Sequence, residues 1–274
     1  PELGLIYVPV SSPEPNYWGG NRLEGVPLAT SVTAVDMETG EIAWSRQLVA
    51  HDIWDYDTPS PPTLVDLEIG GETVPALVQT TKQAMVWVLD RRTGEPLFPV
   101  EERPVPASDA QGEVAAPTQL FPEAPPPTLD HADFPDVWWL ADLTSAGQCS
   151  RDRDAYRWEG LYTPPSVEGT FMWPGTAGAN NWGAQAVDPR TGIMYVNTSR
   201  VVQVLRLIPR EDYEALVAAG RADSGNEEGF YPQHGSPYGF QLSEWRNALG
   251  LPCWEPPFGT FAAYDLTTGE RLYE

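Results

Sequence analysis

The sequence predicts an all-β fold, and three observations carry that expectation. Pro (29) and Gly (24) punctuate the 274 residues at a density that suits many short strands joined by turns. With 11 Trp, 11 Tyr and 8 Phe, and 41% hydrophobic against 20% charged residues, the chain has the material for a real core and is no disordered acidic tail. Third, one short pattern recurs: apolar alternation, Asp, two residues, then Thr-Gly. It ends in Asp36 to Gly40, Asp90 to Gly94, Asp188 to Gly192 and Asp265 to Gly269. Each copy reads as a hairpin turn, because the Asp carboxylate can accept from turn amides while Gly takes the positive φ that turns the chain back.

The copies stand farther apart than the roughly 40 to 50 residues of a minimal four-stranded propeller blade, so a β-propeller with insertions fits best. In chain order, Leu3 to Pro9 is a strand and Thr33 to Asp36 leads into the first turn. Leu77 to Leu89 reads as strand, turn, strand with Lys82 at the tip. Pro104 to Pro135 is rich in Pro and Ala with little apolar periodicity, which predicts a surface excursion. Ala186 to Asp188 and Tyr195 to Thr198 flank the third turn, and Arg210 to Gly220 is a short helix stopped by Gly. The chain begins inside a strand and stops just after a hairpin turn, so residues 1–274 are expected to be one propeller domain cut from a longer protein at both ends. A complete small β protein is the alternative.

Composition also excludes partners. Sixteen basic against 39 acidic residues give a net charge of −23, which repels a phosphate backbone and makes nucleic acid a poor partner. No signal peptide is present, and no apolar run approaches the roughly 20 residues that span a bilayer. Cys149 and Cys253 form neither a metal cluster nor a CxxC motif and are one candidate disulfide. His131 and His234 stand apart from any carboxylate pair at zinc spacing. The GxSxG, Walker and GxGxxG motifs are absent, which removes the common hydrolase, P-loop and Rossmann readings.

Three segments carry chemistry. The densest is His51-Asp52-Ile53-Trp54-Asp55-Tyr56-Asp57. If it is extended, Asp55 and Asp57 share a side with His51 and Ile53, while Asp52, Trp54 and Tyr56 take the other. A carboxylate between aromatic neighbours loses water and gains basicity, which makes Asp55 a candidate general base. The competing reading is a loop whose carboxylates cap backbone amides, and motif content leaves both open. Lys82 is the chain's one lysine; where Arg serves everywhere else, a compact ammonium points to a need for a point charge, against the reading of a chance surface lysine. Gly178 to Ala186, with Asn180, Asn181 and Trp182, offers amides and an indole to a flat polar ligand, or equally builds an Asx turn.

In this order, Asn16 to Arg22, His51 to Asp57, Lys82, Leu89 to Glu95, Arg157 to Ser166, Asn181 to Gly183, Leu207 to Arg210, Pro232 to Gly239 and Gly250 to Cys253 resemble the pyrroloquinoline quinone (PQQ) dehydrogenases. The likeness is strongest to the membrane-bound glucose, quinate and shikimate group and covers almost the whole chain. The resemblance implies an eight-bladed propeller, with about four to five blades in this chain, and an oxidoreductase passing hydride from a sugar, polyol or cyclic hydroxy acid to PQQ. It implies Asp55 as catalytic base, Lys82, Asn181, Trp182 and Asn197 as cofactor neighbours, and Ca²⁺ or Mg²⁺ as the metal, held by Glu14 or Asn16. Further implied are a small-molecule sugar or alcohol substrate, a ubiquinone-type electron acceptor, and a location on the periplasmic face of the bacterial inner membrane, with the anchor outside this chain. Cys149 and Cys253 fall where the glucose group has Cys, and an oxidising periplasm permits their bridge. The family's early blades and closing segment have no counterpart in the sequence, so the chain alone is expected to be inactive. Two rival readings are a non-catalytic propeller scaffold of the outer-membrane assembly type and a quinoprotein alcohol dehydrogenase.

Overall fold

The computed structural model of the chain describes residues 2–222 and 229–274. In chain order the elements are β1 (Leu5–Val10), β2 (Ser31–Asp36), β3 (Ile42–Gln47), β4 (Thr63–Ile69), β5 (Glu72–Thr80), β6 (Val86–Asp90), β7 (Val100–Pro104), β8 (Thr118–Pro122), α1 (Trp139–Thr144), α2 (Gln148–Ala155), β9 (Thr170–Met172), β10 (Gln185–Asp188), β11 (Ile193–Ser199), β12 (Gln203–Pro209), α3 (Arg210–Ala218), β13 (Gly229–Tyr231), β14 (Tyr238–Glu244), β15 (Gly259–Asp265) and β16 (Glu270–Tyr273). Strands dominate, as the turn density predicts.

They form four antiparallel blades and one hairpin, in the orders β1-β2-β3, β4-β5-β6, β13-β14-β12-β9 and β10-β11-β15-β16, with β7-β8 apart. The sheets do not close on one another, so the architecture is a partial β-propeller. One blade is interleaved with another: β11 pairs with β15 across the whole register Ile193↔Asp265 to Ser199↔Gly259, and the β12 to β14 sheet lies between them in sequence.

The four Asp-x-x-Thr-Gly turns form as the side-chain chemistry requires. In each, the Gly N–H donates to the Asp carbonyl at 2.8 to 2.9 Å, with Gly φ between 70 and 79°. The carboxylates of Asp36, Asp90, Asp188 and Asp265 accept from the amide two residues on, at 2.8 to 3.0 Å. Three of these turns join paired strands; the one at Asp90 leads from β6 into a single bridge, Leu89 to Pro96.

Blades pack through strand faces with the period-2 pattern. Val65 and Leu67 of β4, Val78 of β5 and Val86 and Val88 of β6 lie against Met194, Val196, Ala262 and Tyr264 of the neighbouring blade. A second core gathers Leu48, Trp54, Tyr56, Trp87, Tyr162, Leu205 and Phe240, each burying roughly 1.5–3 kcal/mol of apolar surface if fully covered. A third, with Phe171, Trp173, Trp245 and Trp254, surrounds a disulfide between Cys149 of α2 and Cys253, whose Cα atoms are 5.4 Å apart.

The helix expected from Arg210 is α3. Helices α1 and α2 carry too little periodicity to announce themselves. The segment from Pro104 to Pro135 corrects the expectation of a surface excursion: it contains β8, and Ala110, Glu113, Gln119, Thr128 and Leu129 are buried. Its interior contacts are polar as well as apolar, so no hydrophobic period marks them. No helix among the described residues is long and apolar enough to cross a membrane.

Candidate active site

Lys82 stands at the tip between β5 and β6, where Thr81 and Met85 exchange backbone contacts and Ala84 takes φ 67° to close the turn. Its side chain is only 7% exposed, and all three ammonium protons are used: Nζ lies 2.9 Å from the Asp55 carbonyl, 3.1 Å from Asp55 Oδ2 and 2.8 Å from Asp57 Oδ2. Both carboxylates, four residues or more past the end of β3's blade edge, are thus brought to one cation. Gly178 makes room for it: φ is +80°, and a Cβ there would lie 2.6 Å from Lys82 Cγ.

The loop from His51 to Asp57 has no strand hydrogen bonds, and its carboxylates divide: one caps backbone amides, and two meet the Lys82 ammonium. Asp52 is the capping acid. Buried, it accepts from the Trp54 and Tyr56 amides at 2.9 and 3.1 Å and from Thr30 Oγ1 at 2.9 Å. Asp55 and Asp57 face the other way, toward Lys82. The expected alternation therefore holds for Asp52, Trp54 and Tyr56, all buried, and fails for Ile53, which is buried with them. His51 turns away from Lys82 and bonds Glu113 instead, Nε2 to Oε1 2.7 Å.

Electrostatics separate the two acids. Burial pushes the Asp55 carboxyl up to about 7; Lys82 pulls against this, and the charges of Asp57 and Asp52 add to it. Burial acts on Asp57 too, but Lys82 and the amide and hydroxyl of Ser12, at 2.7 and 2.9 Å, outweigh it and hold that carboxyl below the usual range. Lys82 is desolvated, yet the two carboxylates keep its pKa raised. The result is one firmly ionised acid, one cation, and one acid poised near neutrality.

Asp55 and Lys82 line a cavity of about 330 Å³. Asp55, Lys82, Asn16, Asn181, Thr176 and Gln203 supply its polar atoms, and Tyr17, Tyr231, Phe240 and Leu242 its apolar side. Asn16 Nδ2 reaches Asp55 Oδ1 at 3.3 Å. Asn181 is held in place by donating to the Ala177 carbonyl at 2.7 Å.

Of the residues singled out in the sequence, Asp55, Lys82, Asn16 and Asn181 meet here. Trp182, Asn197 and Glu14 do not. Trp182 is 85% exposed and does not line the cavity; its amide donates to Asn181 Oδ1. Asn197 is on the exposed side of β11, alternating with buried Val196 and Thr198. Asn180, not Trp182, is the buried neighbour of Asn181, bonding Thr128 Oγ1 and the Asn197 carbonyl at 2.8 and 3.0 Å. Sequence reasoning missed Ser12, Asp57 as a second partner of Lys82, and the Tyr17, Gln203 and Phe240 walls. A short polar segment such as Ser11-Ser12 gives no periodic signal, and the walls lie far from Lys82 in sequence, Tyr17 before it and Gln203 and Phe240 well after it.

The model of a known family, the PQQ glucose/ethanol/alcohol dehydrogenase β-propeller domain, matches residues 1–274. The chain belongs to this family. Among curated PQQ-family relatives, the chain is 38% identical to the quinoprotein glucose dehydrogenase of Escherichia coli K12, over all of this chain and 34% of that protein. It is 35% identical to the quinate/shikimate dehydrogenase (quinone) of Acinetobacter baylyi, over all of this chain and 34% of the relative. The glycerol dehydrogenase large subunit of Gluconobacter thailandicus is 33% identical over 99% of this chain and 38% of its own. The chain thus spans about a third of the length of these relatives. Two solved structures share the fold: a quinohemoprotein alcohol dehydrogenase from Comamonas testosteroni (TM-score 0.57, 20% identity, 99% of this chain and 33% of that one) and a europium-containing methanol dehydrogenase (TM-score 0.56, 22% identity, 100% and 37%).

Proposed function

We propose that this PQQ-family chain is the propeller portion of a longer dehydrogenase of the glucose/quinate type, which oxidises a CH–OH carbon of a sugar, polyol or cyclic hydroxy acid. The observation that carries the reading is the Asp55–Lys82–Asp57 cluster: a buried ammonium between two carboxylates, one of them near neutral pKa, with Asp55 and Lys82 lining a cavity that polar and aromatic side chains share. A scaffold propeller has no use for so costly an arrangement, since each desolvated charge costs several kcal/mol before pairing returns it.

The residues fit a flat, carbonyl-bearing cofactor. The cavity is of the size of small-molecule sites, its ring-lined side suits an aromatic face, and the ammonium of Lys82 and amides of Asn181 and Asn16 suit oxygens along an edge. When bound, PQQ supplies the two-electron acceptor for a hydride leaving the substrate carbon. Asp55 takes the hydroxyl proton of the substrate at a carboxylate oxygen, so that proton and hydride together leave a carbonyl product. Lys82 keeps part of the Asp55 population ionised and can turn one N–H from Asp55 to a cofactor oxygen while Asp57 retains its bond. Tyr17, Phe240 and Leu242 keep water from the site. Among the described residues the oxygen donors near Asn16 fall short of the six to eight that Ca²⁺ takes, and Glu14 is off the cavity wall, so these residues do not by themselves fit the metal. Delivery of electrons to a ubiquinone-type acceptor on the periplasmic side of the inner membrane belongs to the same proposal; the word quinone in the name of the quinate/shikimate relative supports a quinone acceptor, and the location rests on the family resemblance.

The test is reconstitution of the whole enzyme with PQQ and Ca²⁺ or Mg²⁺, followed by dye-linked oxidation of glucose, quinate, shikimate and simple alcohols. Turnover on one of them is expected, and Asp55→Asn is expected to keep PQQ binding while losing about 10² to 10⁴ in turnover. No turnover on any of them, or full turnover in Asp55→Asn, overturns the reading.

A further inference from the structure

The loop that carries Asp55 is held in a conformation it would not choose alone. His51 and Asp55 both have positive φ, 46° and 58°, a region that costs a non-glycine residue of the order of 1 kcal/mol or more. No strand pairs with residues 51–57, so something outside must fix them.

That support comes from the β7–β8 insertion. Gln119, 2% exposed, lies against Ala50 as a strand partner would: the Ala50 amide donates to Oε1 at 2.9 Å, and Nε2 donates to the Ala50 carbonyl at 2.7 Å. One residue on, Glu113 accepts from His51 Nε2 at 2.7 Å, and its side chain is 1% exposed. The same carboxylate accepts from the amide of Gly19 and from its neighbour Val114, the latter at 2.9 Å. Gly19 ends the segment whose Asn16 and Tyr17 line the cavity. The packing at Gly19 is tight enough that a Cβ there would lie 2.4 Å from His51 Nε2. Phe121 of β8 then presses edge-on against Tyr162, which in turn meets Trp54 and Tyr56 of the loop.

We infer that Glu113 and Gln119 are positioning residues for the dehydrogenase site: they clamp residues 50 and 51 and, through Gly19, join the Asp55 loop to the Asn16–Tyr17 wall, so that the insertion sets where Asp55 stands against Lys82. The inference rests on the functional reading of Asp55 given above. Neither residue touches the cavity, so neither is a catalytic residue. The Gln119 carboxamide holds the amide and the carbonyl of Ala50, which orients the peptide groups on both sides of that residue, the Glu113 carboxylate holds the imidazole of His51, and Asp55 follows four residues after His51. Displacement of a reacting group by about 1 Å costs on the order of 10²-fold in rate.

The test compares Glu113→Gln, Gln119→Glu and Asp55→Asn in the PQQ-reconstituted enzyme by steady-state kinetics, PQQ titration and backbone amide hydrogen exchange. Gln119→Glu retains the acceptor for the Ala50 amide and sets an oxygen against the Ala50 carbonyl, and unchanged exchange in β5 and β6 identifies which of the variants have folded. Expected for both insertion variants are a kcat lowered about ten- to a hundredfold, KM and PQQ affinity within about threefold of the parent, and exchange of amides 51–57 faster by about tenfold or more with β5 and β6 unchanged. Reverting Glu113→Gln to Asp, which restores the charge on a shorter stem, is expected to recover part of kcat. Unchanged exchange in the loop overturns the inference, as does a normal kcat alongside an inactive Asp55→Asn. If Asp55→Asn stays active, the functional reading fails on its own, and loop exchange still decides the clamp.

Discussion

Replacing Asp57 by Asn removes one of the two charges that share Lys82, and its effect on Asp55 has a definite sign. Asp57 raises the Asp55 pKa by repulsion, and Lys82 lowers it; with Asn at 57 the repulsion goes and the ammonium belongs to Asp55 alone. Both changes favour the ionised base. The two carboxylate oxygens bond the same nitrogen at 3.1 and 2.8 Å, which keeps them within about 6 Å of each other and gives a repulsion of roughly 3 kcal/mol at an effective dielectric of about 20. Side-chain exposures of 19 and 22% let solvent screen about half of that. About 1.4 kcal/mol remains, or one pH unit. The kcat/KM profile of the free enzyme, which rises as Asp55 ionises through about 7 in the parent, is therefore expected to rise about one pH unit lower in Asp57→Asn. At pH 6 the variant should be about fivefold faster, and above pH 8.5 the two should coincide. An acid limb that stays put or moves to higher pH refutes the electrostatic account of this cluster. Asn preserves the acceptor for the Ser12 amide, so the fold is not in question.

Other expectations are more local. Gly178→Ala should destabilise the chain by about 1–3 kcal/mol, since the new Cβ overlaps Lys82 and the backbone has positive φ; a Tm lowered by several degrees would show it, and an unchanged Tm would mean the loop yields freely. Removing the disulfide with Cys149→Ser and Cys253→Ser together should lower unfolding free energy by about 2–4 kcal/mol, read as a lower urea midpoint with a slope equal to or steeper than the parent's; no shift would show that the aromatic core around it suffices.

What could be read from the sequence was what short-range chemistry determines. Asp-x-x-Thr-Gly encodes its own turn, since acceptor, amide and glycine lie within five residues, and all four copies fold as expected. Lys82 was legible because it is the one ammonium, and Asp55 because aromatic neighbours flank it. The misreadings were all questions of long-range placement. Glu113 and Gln119 lie in a segment with no apolar period, and only the fold reveals that they reach back more than 60 residues to His51 and Ala50. Trp182 reads as a stacking residue by type, yet the fold leaves it exposed. Whether Asp52 or Asp55 caps the loop depends on Thr30, which no local pattern connects to either.

The interleaving of β11 with β15 bears on how this chain is made. A ribosome releasing the polypeptide from its amino end delivers the hairpin of β10 and β11 well before residues 259–265 exist as its partner. Through that interval the lateral edge of β11 is an open template for a foreign strand, and the order in which the chain emerges sets the time at which the risk ends. Contacts of such sequence separation are slow to close, so this blade is expected to be among the last parts of the chain to complete its pairing.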